Sequence, residues 1–451
     1  MTQLPEHHST SHPDSHPDYQ PKEYVTCSHP DWSKNATIYE VNIRQYTPEG
    51  TFEAFAEHLS RLKKMGVDIL WLMPIHPIGI KNRKGSLGSY YAVRDYLEVN
   101  PEFGTAHDFR SLVEKIHEMG MYVILDWVAN HSAWDNPLTE SNPEWYTRTK
   151  SGEFQPTPWY DWDDIIDFDY TQPGLRRYME QAMVHWVKEY NVDGFRCDVA
   201  GFVPIDFWEQ MRRTLDTIKP VFMLAEWESR DLHHRAFDMT YGWSFYDALI
   251  SLIKKKEGMA TLYEYLAHDV STFPRGGYRM LFTENHDKNS WDGTQYSNFG
   301  EGLPAATVLA CTANGMPLVY SGQEAGLDRS LAFFEKDQIE WKEHPNRELY
   351  AKLFALKKRN RALWNGEHGG VMVRILNNKM DQVLSFARET DSRTVMVVIN
   401  FSEHPADVQL RTDDYTGTYT ELFSENETTI AATHTISLQP WGYRVYHKEG
   451  G

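Results

Sequence analysis

From Thr37 onward, short apolar, β-prone segments alternate with longer segments of helical periodicity, and this alternation restricts the possible folds more than any other feature. It is the pattern of βα units, in which helices join parallel strands. The candidate strands lie at 37–43, 67–74, 121–128, 192–199, 221–227, 236–240, 278–285 and 316–322. Eight such units predict an α/β fold, a (β/α)8 TIM barrel whose strands are buried inside a ring of helices.

Two stretches break the regular alternation. After the third predicted strand comes an aromatic and acidic stretch, 132–171, which is too long for an ordinary connection and predicts a small inserted subdomain. From 367 to 451 the helical periodicity gives way to alternating strands separated by turn residues, which predicts a C-terminal antiparallel β-sandwich. The catalytic barrel is therefore assigned to 36–131 and 172–366.

The N-terminal segment, 1–35, is polar and rich in His and Pro, which predicts a tail without a core of its own. Its histidines have no fixed ligand spacing, so a tail is favoured over a metal site. It lacks the apolar run of a secretory signal, and no later segment is apolar over a membrane-spanning length. The three cysteines lie far apart and suggest neither a disulfide framework nor a paired metal motif. We therefore expect a cytoplasmic protein.

The net charge excludes two classes of partner. Lys and Arg number 45 and Asp and Glu number 64, which gives a formal charge of −19. Such a chain repels a nucleic-acid backbone and an anionic membrane surface, so neither is expected as a partner. Aromatic residues make up 14% of the chain, a content that suits stacking on sugar rings but also suits core packing.

Polar residues that end apolar strands are the candidate functional groups, because the active site of such a barrel lies at the C-terminal ends of its strands. The candidates are Asp126, Asn130 and His131 after the third predicted strand, Arg196 and Asp198 on the fourth, Glu226 on the fifth, and Asn285, His286 and Asp287 after the seventh. Side chains alternate along a strand, so Arg196 and Asp198 face the same side.

Asp198 and Glu226 end neighbouring predicted strands. This placement would bring their carboxyl groups to about the 5 Å separation of a retaining glycosidase. Arg196 beside Asp198 favours an ionised nucleophile, whereas the apolar neighbours of Glu226 favour a protonated acid. The pair therefore predicts double displacement at an anomeric carbon.

A metallohydrolase is the competing interpretation of the strand ends. Asp126, His131, His286 and Asp287 would then hold a catalytic zinc ion. Such barrels commonly begin with a His-X-His pair on the first strand, which reads YEVNIRQY here and has no His. The pair of carboxylates is the favoured interpretation.

The ordered motifs resemble those of one known family. Its four signature regions, in order, are similar to DWVANH at 126–131, GFRCDVA at 194–200, AEW at 225–227 and FTENHD at 282–287. The family is the α-amylase family, glycoside hydrolase family 13, and the resemblance, to its bacterial cytoplasmic type, covers roughly 36–448. It implies a hydrolase of α-1,4-glucosidic bonds whose substrate is a starch-like α-glucan or a maltooligosaccharide.

The resemblance also implies a role for each of several side chains. These roles are nucleophile for Asp198, general acid/base for Glu226, third carboxylate for Asp287, orientation of Asp198 for Arg196, hydrogen bonding to the sugar for His131 and His286, and stacking beneath it for Tyr91.

The chain departs from the family pattern in two places. Ala92 stands where many members carry an Asp after the stacking Tyr, which argues against a strict α-glucosidase. Gly201 and Phe202 stand where many α-amylases carry Lys-His, which removes a sugar contact and weakens the family's calcium site. Asn130 would be a ligand of that structural calcium ion, with an Asp of the insertion, or would only brace the loop. The chemistry itself requires no cofactor.

Two other functions remain open, and the oligomeric state is not predicted. A transglycosylase or cyclodextrin-active enzyme would use the same site, because water and a sugar hydroxyl compete for the same covalent intermediate. A non-catalytic glucan-binding or scaffold module would be expected to have lost at least one carboxylate. All three, Asp198, Glu226 and Asp287, are present.

Overall fold

A closed barrel of eight parallel strands forms the centre of the computed structural model, which describes residues 23–391 and 393–449. Within these residues, ten strands precede the C-terminal domain, and all but β4 and β5 belong to the barrel. They are β1 (Ile38–Val41), β2 (Ile69–Leu72), β3 (Tyr122–Trp127), β4 (His131–Ala133), β5 (Ile165–Asp167), β6 (Gly194–Cys197), β7 (Phe222–Ala225), β8 (Met239–Tyr241), β9 (Tyr278–Leu281) and β10 (Met316–Tyr320). The barrel order is β1-β2-β3-β6-β7-β8-β9-β10, with β10 paired to β1. The predicted fold class is confirmed.

The barrel strands are apolar on both faces, because helices cover the outside and side chains fill the inside. β2 reads ILWL and β7 reads FMLA, and each of these residues is buried. Charged side chains break this rule, and among them Glu40 on β1, Asp126 on β3 and Arg196 on β6 are almost fully buried. Their position inside the barrel marks the region of the candidate site.

The helices follow the strands and form the outer layer. They are α1 (Ile43–Tyr46), α2 (Phe52–Ala56), α3 (Leu59–Met65), α4 (Ala106–Glu118), α5 (Leu138–Ser141), α6 (Pro173–Tyr190), α7 (Ile205–Asp216), α8 (Trp243–Leu249), α9 (Ala260–Thr272), α10 (His286–Trp291), α11 (Gln295–Phe299), α12 (Leu303–Thr312) and α13 (Pro345–Arg359). α8 continues into a π-helical turn, Ile250–Lys254. Within the described ranges, no helix is both long enough and apolar enough to cross a membrane.

The structure differs from the predicted tail over residues 23–35, which pack across the N-terminal end of the barrel; residues 1–22 lie outside the described residues. Trp32 stacks on Tyr122, with ring centroids 4.0 Å apart. His29 Nδ1 lies 2.6 Å from Asp238 Oδ1 and its Nε2 lies 2.7 Å from the carbonyl oxygen of Gly276. The polar composition of this segment hides these anchors, because each one depends on a partner far along the chain.

The insertion contains β4, α5 and β5 and lies at the opposite, C-terminal end of the barrel strands. β4 pairs antiparallel with β5, so that His131 lies opposite Asp167. Tyr146 packs against Phe168 in the core of this small unit, with ring centroids 4.8 Å apart. The insertion is thus anchored directly beside the residues that follow β3.

The C-terminal domain consists of two antiparallel sheets, as predicted. Its strands are β11 (Met372–Arg374), β12 (Val383–Thr390), β13 (Arg393–Asn400), β14 (Ala406–Arg411), β15 (Gly417–Glu421), β16 (Glu427–Ile430), β17 (Thr433–Leu438) and β18 (Tyr443–Lys448). β14 and β17 form the smaller sheet, and the other six form the larger one. The sequence pattern does not reveal β16, because its residues ETTI are mostly polar and exposed.

One face of the larger sheet packs on the barrel and the other packs on the smaller sheet. Phe386 and Val397 belong to the same hydrophobic cluster as the barrel core, whereas Ala387 and Met396 belong to the core between the two sheets. β12 and β13 are therefore largely buried on both faces, which explains the apolar run VMVVI in β13.

Arg388 on β12 joins this domain to the barrel and is fully buried. Its guanidinium donates hydrogen bonds to the carbonyl oxygens of Ala313 at 2.7 Å, Trp364 at 2.8 Å and Gly370 at 2.9 Å. Ala313 directly follows α12, so the positive charge also lies at the negative end of a helix dipole. A single side chain thus satisfies carbonyl groups from three segments.

We expect Arg388→Ala to lower the free energy of unfolding by about 3 kcal/mol or more, because each buried acceptor left without a donor costs about 1–3 kcal/mol. Arg411→Ala removes an exposed arginine from the same domain and is the matched control, with an expected change within about 0.5 kcal/mol. Denaturant unfolding followed by circular dichroism measures both. Equal stability of the two variants would show that Arg388 does not hold the domains together.

Candidate active site

Arg196 is the central cation of the site. It lies directly opposite Asp126 in the register of β3 and β6, and both side chains are buried inside the barrel. Arg196 Nη1 donates to Asp126 Oδ1 at 2.8 Å and to Asp198 Oδ1 at 2.9 Å. Its Nη2 lies 3.0 Å from Glu226 Oε2, an ion pair without hydrogen-bond geometry. One guanidinium therefore contacts three carboxylates.

Asp126 anchors Arg196 and Tyr91 from the barrel interior. Its Oδ2 accepts hydrogen bonds from Trp71 Nε1 and from the Tyr91 hydroxyl, each at 3.0 Å. Because Oδ1 is bound by Arg196, both oxygens of this buried carboxylate are satisfied. Asp126 therefore fixes the ring of Tyr91 at the bottom of the site.

Asp198 and Glu226 are held next to each other by the backbone between their strands. The amide of Glu226 donates to the carbonyl oxygen of Cys197 at 3.0 Å, and the amide of Val199 donates to Glu226 Oε2 at 2.7 Å. Val199 has a φ of 35°, a left-handed conformation that a β-branched residue rarely adopts. Such strain concentrates at functional sites, and here it aims an amide at a carboxylate.

The two carboxyl groups have different pKa values. Burial raises the pKa of Glu226 to about 8; Arg196 opposes this shift and the charges of Asp198 and Asp287 add to it. Burial raises the pKa of Asp198 to about 6, again opposed by Arg196. Near neutral pH the site therefore favours one protonated and one ionised carboxyl group, which is the pairing of an acid with a nucleophile.

His286 lies between a buried glutamate and the tyrosine. Its Nδ1 is hydrogen-bonded to Glu40 Oε1, and its Nε2 lies 2.9 Å from the Tyr91 hydroxyl. Burial works to lower the pKa of His286, but Asp287 and Glu40 outweigh it and raise the pKa to about 9. A positively charged imidazolium thus stands beside Asp287, whose Oδ1 lies 3.4 Å from His286 Nε2.

His131 and Asn130 connect β3 to the insertion. Burial lowers the pKa of His131 to about 4, so its imidazole is neutral, and its Nε2 lies 3.8 Å from Asp198 Oδ2. Asn130 Nδ2 lies 3.2 Å from both His131 Nδ1 and Asp167 Oδ1. Thr157 also donates to Asp167 Oδ1 at 2.5 Å. These contacts connect the end of β3 to the insertion through Asn130 and Asp167.

A cavity of about 600 Å³ opens over these groups. Six of the predicted site residues line it, namely Tyr91, His131, Asp198, Glu226, His286 and Asp287. Arg196 lies beneath it without exposed surface, and Asn130 lies behind His131 outside the lining. Aromatic side chains form much of the remaining wall, namely Trp162, Trp291, Phe333 and Phe334.

An aromatic group occupies the region around Gly201 and Phe202. A Cβ atom on Gly201 would lie 2.1 Å from the Trp227 ring, so only glycine allows this packing. Phe202 lies 5.2 Å from Trp227 and 6.0 Å from Tyr160, measured between ring centroids. Tyr160 in turn stacks on Trp162 at 4.2 Å. Apolar ring surfaces therefore stand where the family pattern carries Lys-His.

The four residues of the zinc interpretation do not form a metal site. Both oxygens of Asp126 already accept hydrogen bonds from Arg196, Trp71 and Tyr91. Both ring nitrogens of His286 are hydrogen-bonded, one to Glu40 and the other to Tyr91. In the described part of the chain, one group of three clustered His, Cys, Asp or Glu ligands is found: Cys27, His29 and Asp238, at the other end of the barrel. Asp238 there is already paired with Arg212 at 2.8 Å.

Two supporting residues, Glu40 and Tyr241, are missing from the sequence interpretation. Glu40 holds His286 although the two are 246 positions apart, and Tyr241 accepts from Arg196 Nε at 3.1 Å. Asp126 is recognised as a strand end but not as the anchor of Tyr91. The usable signal for Glu40 is a carboxylate inside an otherwise apolar strand, because such a group must have a buried partner.

Two family models match most of the chain. Residues 10–372 match the family model described as the alpha amylase catalytic domain, and residues 373–445 match that of the maltogenic amylase C-terminal domain. A crystal structure of a maltogenic α-amylase from Thermotoga neapolitana superposes with a TM-score of 0.85 at 33% identity, covering 92% of this chain and 99% of that one.

Two curated relatives are longer than this chain. An α-amylase of Haloarcula japonica is 28% identical over 436 residues, which cover 91% of this chain and 62% of that protein. An intracellular maltogenic amylase of Bacillus subtilis is 25% identical over 395 residues, which cover 80% of this chain and 63% of that protein. The chain therefore spans less than two thirds of the length of either relative.

We expect Glu40→Gln to lower the pKa of His286 from about 9, because burial would then be opposed by Asp287 alone. The pKa of His286 in the folded wild-type protein exceeds its value of about 6.5 in the unfolded chain. The charged imidazolium therefore stabilises the folded protein fully below about pH 6.5, and this stabilisation is lost as the pH rises through about 9. NMR titration of the imidazole measures the shift, with exposed Glu57→Gln as the control. An unchanged pKa of His286 in Glu40→Gln would show that Glu40 does not raise it.

Proposed function

The chain belongs to the α-amylase family of glycoside hydrolases, and on that basis we propose that it hydrolyses α-1,4-glucosidic bonds of starch-like glucans or maltooligosaccharides with net retention. The observation that carries the proposal is the contact of one guanidinium, Arg196, with both Asp198 and Glu226. Carboxylates that share a guanidinium lie close together, and retaining enzymes hold their two carboxyl groups about 5 Å apart.

In the first step, Asp198 attacks the anomeric carbon and the bond from that carbon to the leaving sugar oxygen breaks. Glu226 gives its proton to this oxygen, so the sugar leaves as a neutral alcohol. In the second step, water gives a proton to Glu226 and its oxygen displaces Asp198 from the same carbon. Two inversions restore the original α-configuration, and both carboxyl groups return to their starting state.

The surrounding residues hold the sugar ring and its developing charge. Tyr91 provides a flat surface whose position Asp126 fixes. Asp287 presents an acceptor at the cavity wall, the His286 imidazolium beside it supplies a positive charge, and neutral His131 presents a further polar group. Arg196 stabilises ionised Asp198. This arrangement lets binding energy be used at the reacting carbon.

The chemistry proposed here needs no metal ion, and Asn130 acts as a brace between β3 and the insertion. A calcium ion, if bound at Asn130 and Asp167, would supply only cohesion between the insertion and the barrel. We also propose a cytoplasmic location, which the similarity to the intracellular Bacillus subtilis enzyme supports.

Variants of Asp198 and Glu226 should distinguish the role of the nucleophile from that of the proton donor. We expect Asp198→Asn to reduce kcat on maltooligosaccharides by several orders of magnitude with little change in binding, because it removes the nucleophile but little volume. Glu226→Gln should be equally poor on glucans but should still react rapidly with a maltosyl fluoride, whose leaving group needs no proton.

Chromatography of products from starch, maltooligosaccharides, cyclodextrin and pullulan measures both variants beside the wild type, and NMR of fresh product should show the α-anomer first. Wild-type activity of Asp198→Asn, or an initial β-anomer, would overturn the proposed mechanism. Dominant transfer products in place of free sugars would assign the site to a transglycosylase.

Chelation should leave the initial rate at moderate temperature essentially unchanged and should not alter the wild-type melting temperature. Asn130→Ala should be less stable by about 1–2 kcal/mol with or without EDTA, because it loses the hydrogen bonds to Asp167 and His131. Rates and thermal melts with and without EDTA test both statements. A destabilisation by EDTA that is absent in Asn130→Ala would assign calcium to this site, and loss of activity restored by zinc would favour the metallohydrolase.

A further inference from the structure

Glu284 is a buried carboxyl group to which the proposed chemistry gives no role. It lies between β9 and α10, and only 1% of its surface is exposed. Its Oε1 accepts hydrogen bonds from the amide of Gln295 at 2.9 Å and from Asn289 Nδ2 at 3.3 Å. Within the described ranges, its Oε2 has no hydrogen-bond partner. Both donors therefore lie at one oxygen, as expected for the carbonyl oxygen of an uncharged carboxylic acid.

The surroundings of Glu284 oppose a negative charge. The charges that act on it most strongly, those of Glu40 and Asp328, are both negative. Burial raises the pKa of Glu284 to about 8; the hydrogen bonds from Asn289 and Gln295 oppose this shift, and the two negative charges add to it. The uncharged acid is therefore the favoured form at neutral pH.

Tyrosines of four surrounding elements also lie within reach of a charge on Glu284. Burial raises the pKa of each of them, so they stay uncharged near neutral pH. They are Tyr246 on α8, Tyr296 on α11, Tyr320 on β10 and Tyr350 on α13. The imidazolium of His286, two positions along the chain, is hydrogen-bonded to Glu40 and Tyr91 instead.

Asn289 on α10 connects Glu284 to a loop that forms one wall of the cavity. Its Nδ2 also donates to the carbonyl oxygen of Arg329 at 3.2 Å, and its Oδ1 accepts from the amide of Leu331 at 2.9 Å. Residues 329–334, called the aromatic loop from here on, continue from these contacts to the two phenylalanines of the cavity wall. Because Asn289 has no exposed surface, Glu284 helps to orient an amide that water does not reach.

The helix α10 itself carries the third carboxylate. Asp287 lies in its first turn and Trp291 at its end, and both line the cavity. The ring of Trp291 lies 5.7 Å from that of Phe333 and 5.8 Å from that of Phe334, measured between centroids. The position of Asp287 relative to Phe333 is therefore set where α10 meets the aromatic loop, which is the contact that Glu284 supports.

We propose that Glu284 is a positioning residue, which as an uncharged acid holds Asn289 and thereby fixes Asp287 against the aromatic loop. The proposal rests on the proposed hydrolysis of α-1,4-glucans and adds a residue to its site. Ionisation of Glu284 places a charge on a buried oxygen without a donor, with two negative groups nearby, which is costly unless the surroundings rearrange. The contact between α10 and the aromatic loop should therefore loosen as the pH rises.

The first test compares Glu284→Gln, which keeps the acceptor oxygen without a charge, with Glu284→Ala, which removes the acceptor. At about pH 6.5, Glu284→Gln should keep kcat/KM on maltoheptaose within about two-fold, and Glu284→Ala should lower it at least about ten-fold. Asn289→Ala should cause a similar loss, and combining it with Glu284→Ala should add little, because both act through one contact. Glu301→Gln, exposed beyond α11, is the matched control.

The second test measures the free energy of unfolding of the wild type and of Glu284→Gln across pH. The pKa of Glu284 in the folded protein, about 8, exceeds its usual value of 4.5, which applies to the unfolded chain. The wild type should therefore lose stability relative to Glu284→Gln as the pH rises from about 4.5 to about 8, with no further change above. The difference between the wild type and Glu301→Gln should stay constant over this range.

Three results would each overturn the proposal: wild-type kinetics in a folded Glu284→Ala, a Glu284→Gln as inactive as Glu284→Ala, or a stability difference that does not depend on pH. If Glu284→Ala does not fold, wild-type kinetics in Asn289→Ala would overturn it in the same way. Absence of cleavage of every glucan by the wild type would overturn the proposed hydrolysis instead, and the stability difference would still decide whether Glu284 is uncharged.

Discussion

A positive charge buried inside the barrel is the constraint on which the active site depends. Arg196 has no exposed surface, and removing a guanidinium from water costs several kcal/mol unless charged partners surround it. Asp126, Asp198 and Glu226 are those partners. The requirement also works in reverse, because three buried carboxyl groups would repel one another without a central cation. The site is therefore a single electrostatic unit, in which removal of one member shifts the pKa values of the others.

The electrostatic unit also explains why two similar carboxyl groups can perform different tasks. Asp198 receives a hydrogen bond from Arg196, whereas Glu226 has only an ion pair with it and receives its hydrogen bond from the strained backbone at Val199. The pKa of Glu226 is accordingly raised further by burial than that of Asp198. The hydrogen bond from Arg196 to Asp198, which Glu226 lacks, thus favours Asp198 as the ionised nucleophile, a distinction that residue type alone does not make.

The alternation of strands and helices predicts the barrel, because burial on both faces imposes a long apolar run on each strand. The same logic predicts Asp198 and Glu226, which interrupt these runs at the strand ends. Glu40 escapes prediction, since only closure of β10 onto β1 and the folding of the chain after β9 bring it to His286. Residues 23–35 escape for a similar reason, as Trp32 gains its burial from Tyr122, far along the chain. Patterns within a segment reveal burial, but they do not reveal which distant segment provides it.

The two-sided burial of β12 and β13 has a consequence for how such proteins can evolve. A domain that shows one apolar face to its neighbour and inserts Arg388 among that neighbour's carbonyl groups is not an independent module. Transplanted onto another barrel, it would bring an unsolvated cation and an uncovered hydrophobic surface. Recombination between relatives should therefore preserve the junction around 364–370 together with the end of α12, so that the two domains are inherited as one unit although the chain passes between them only once.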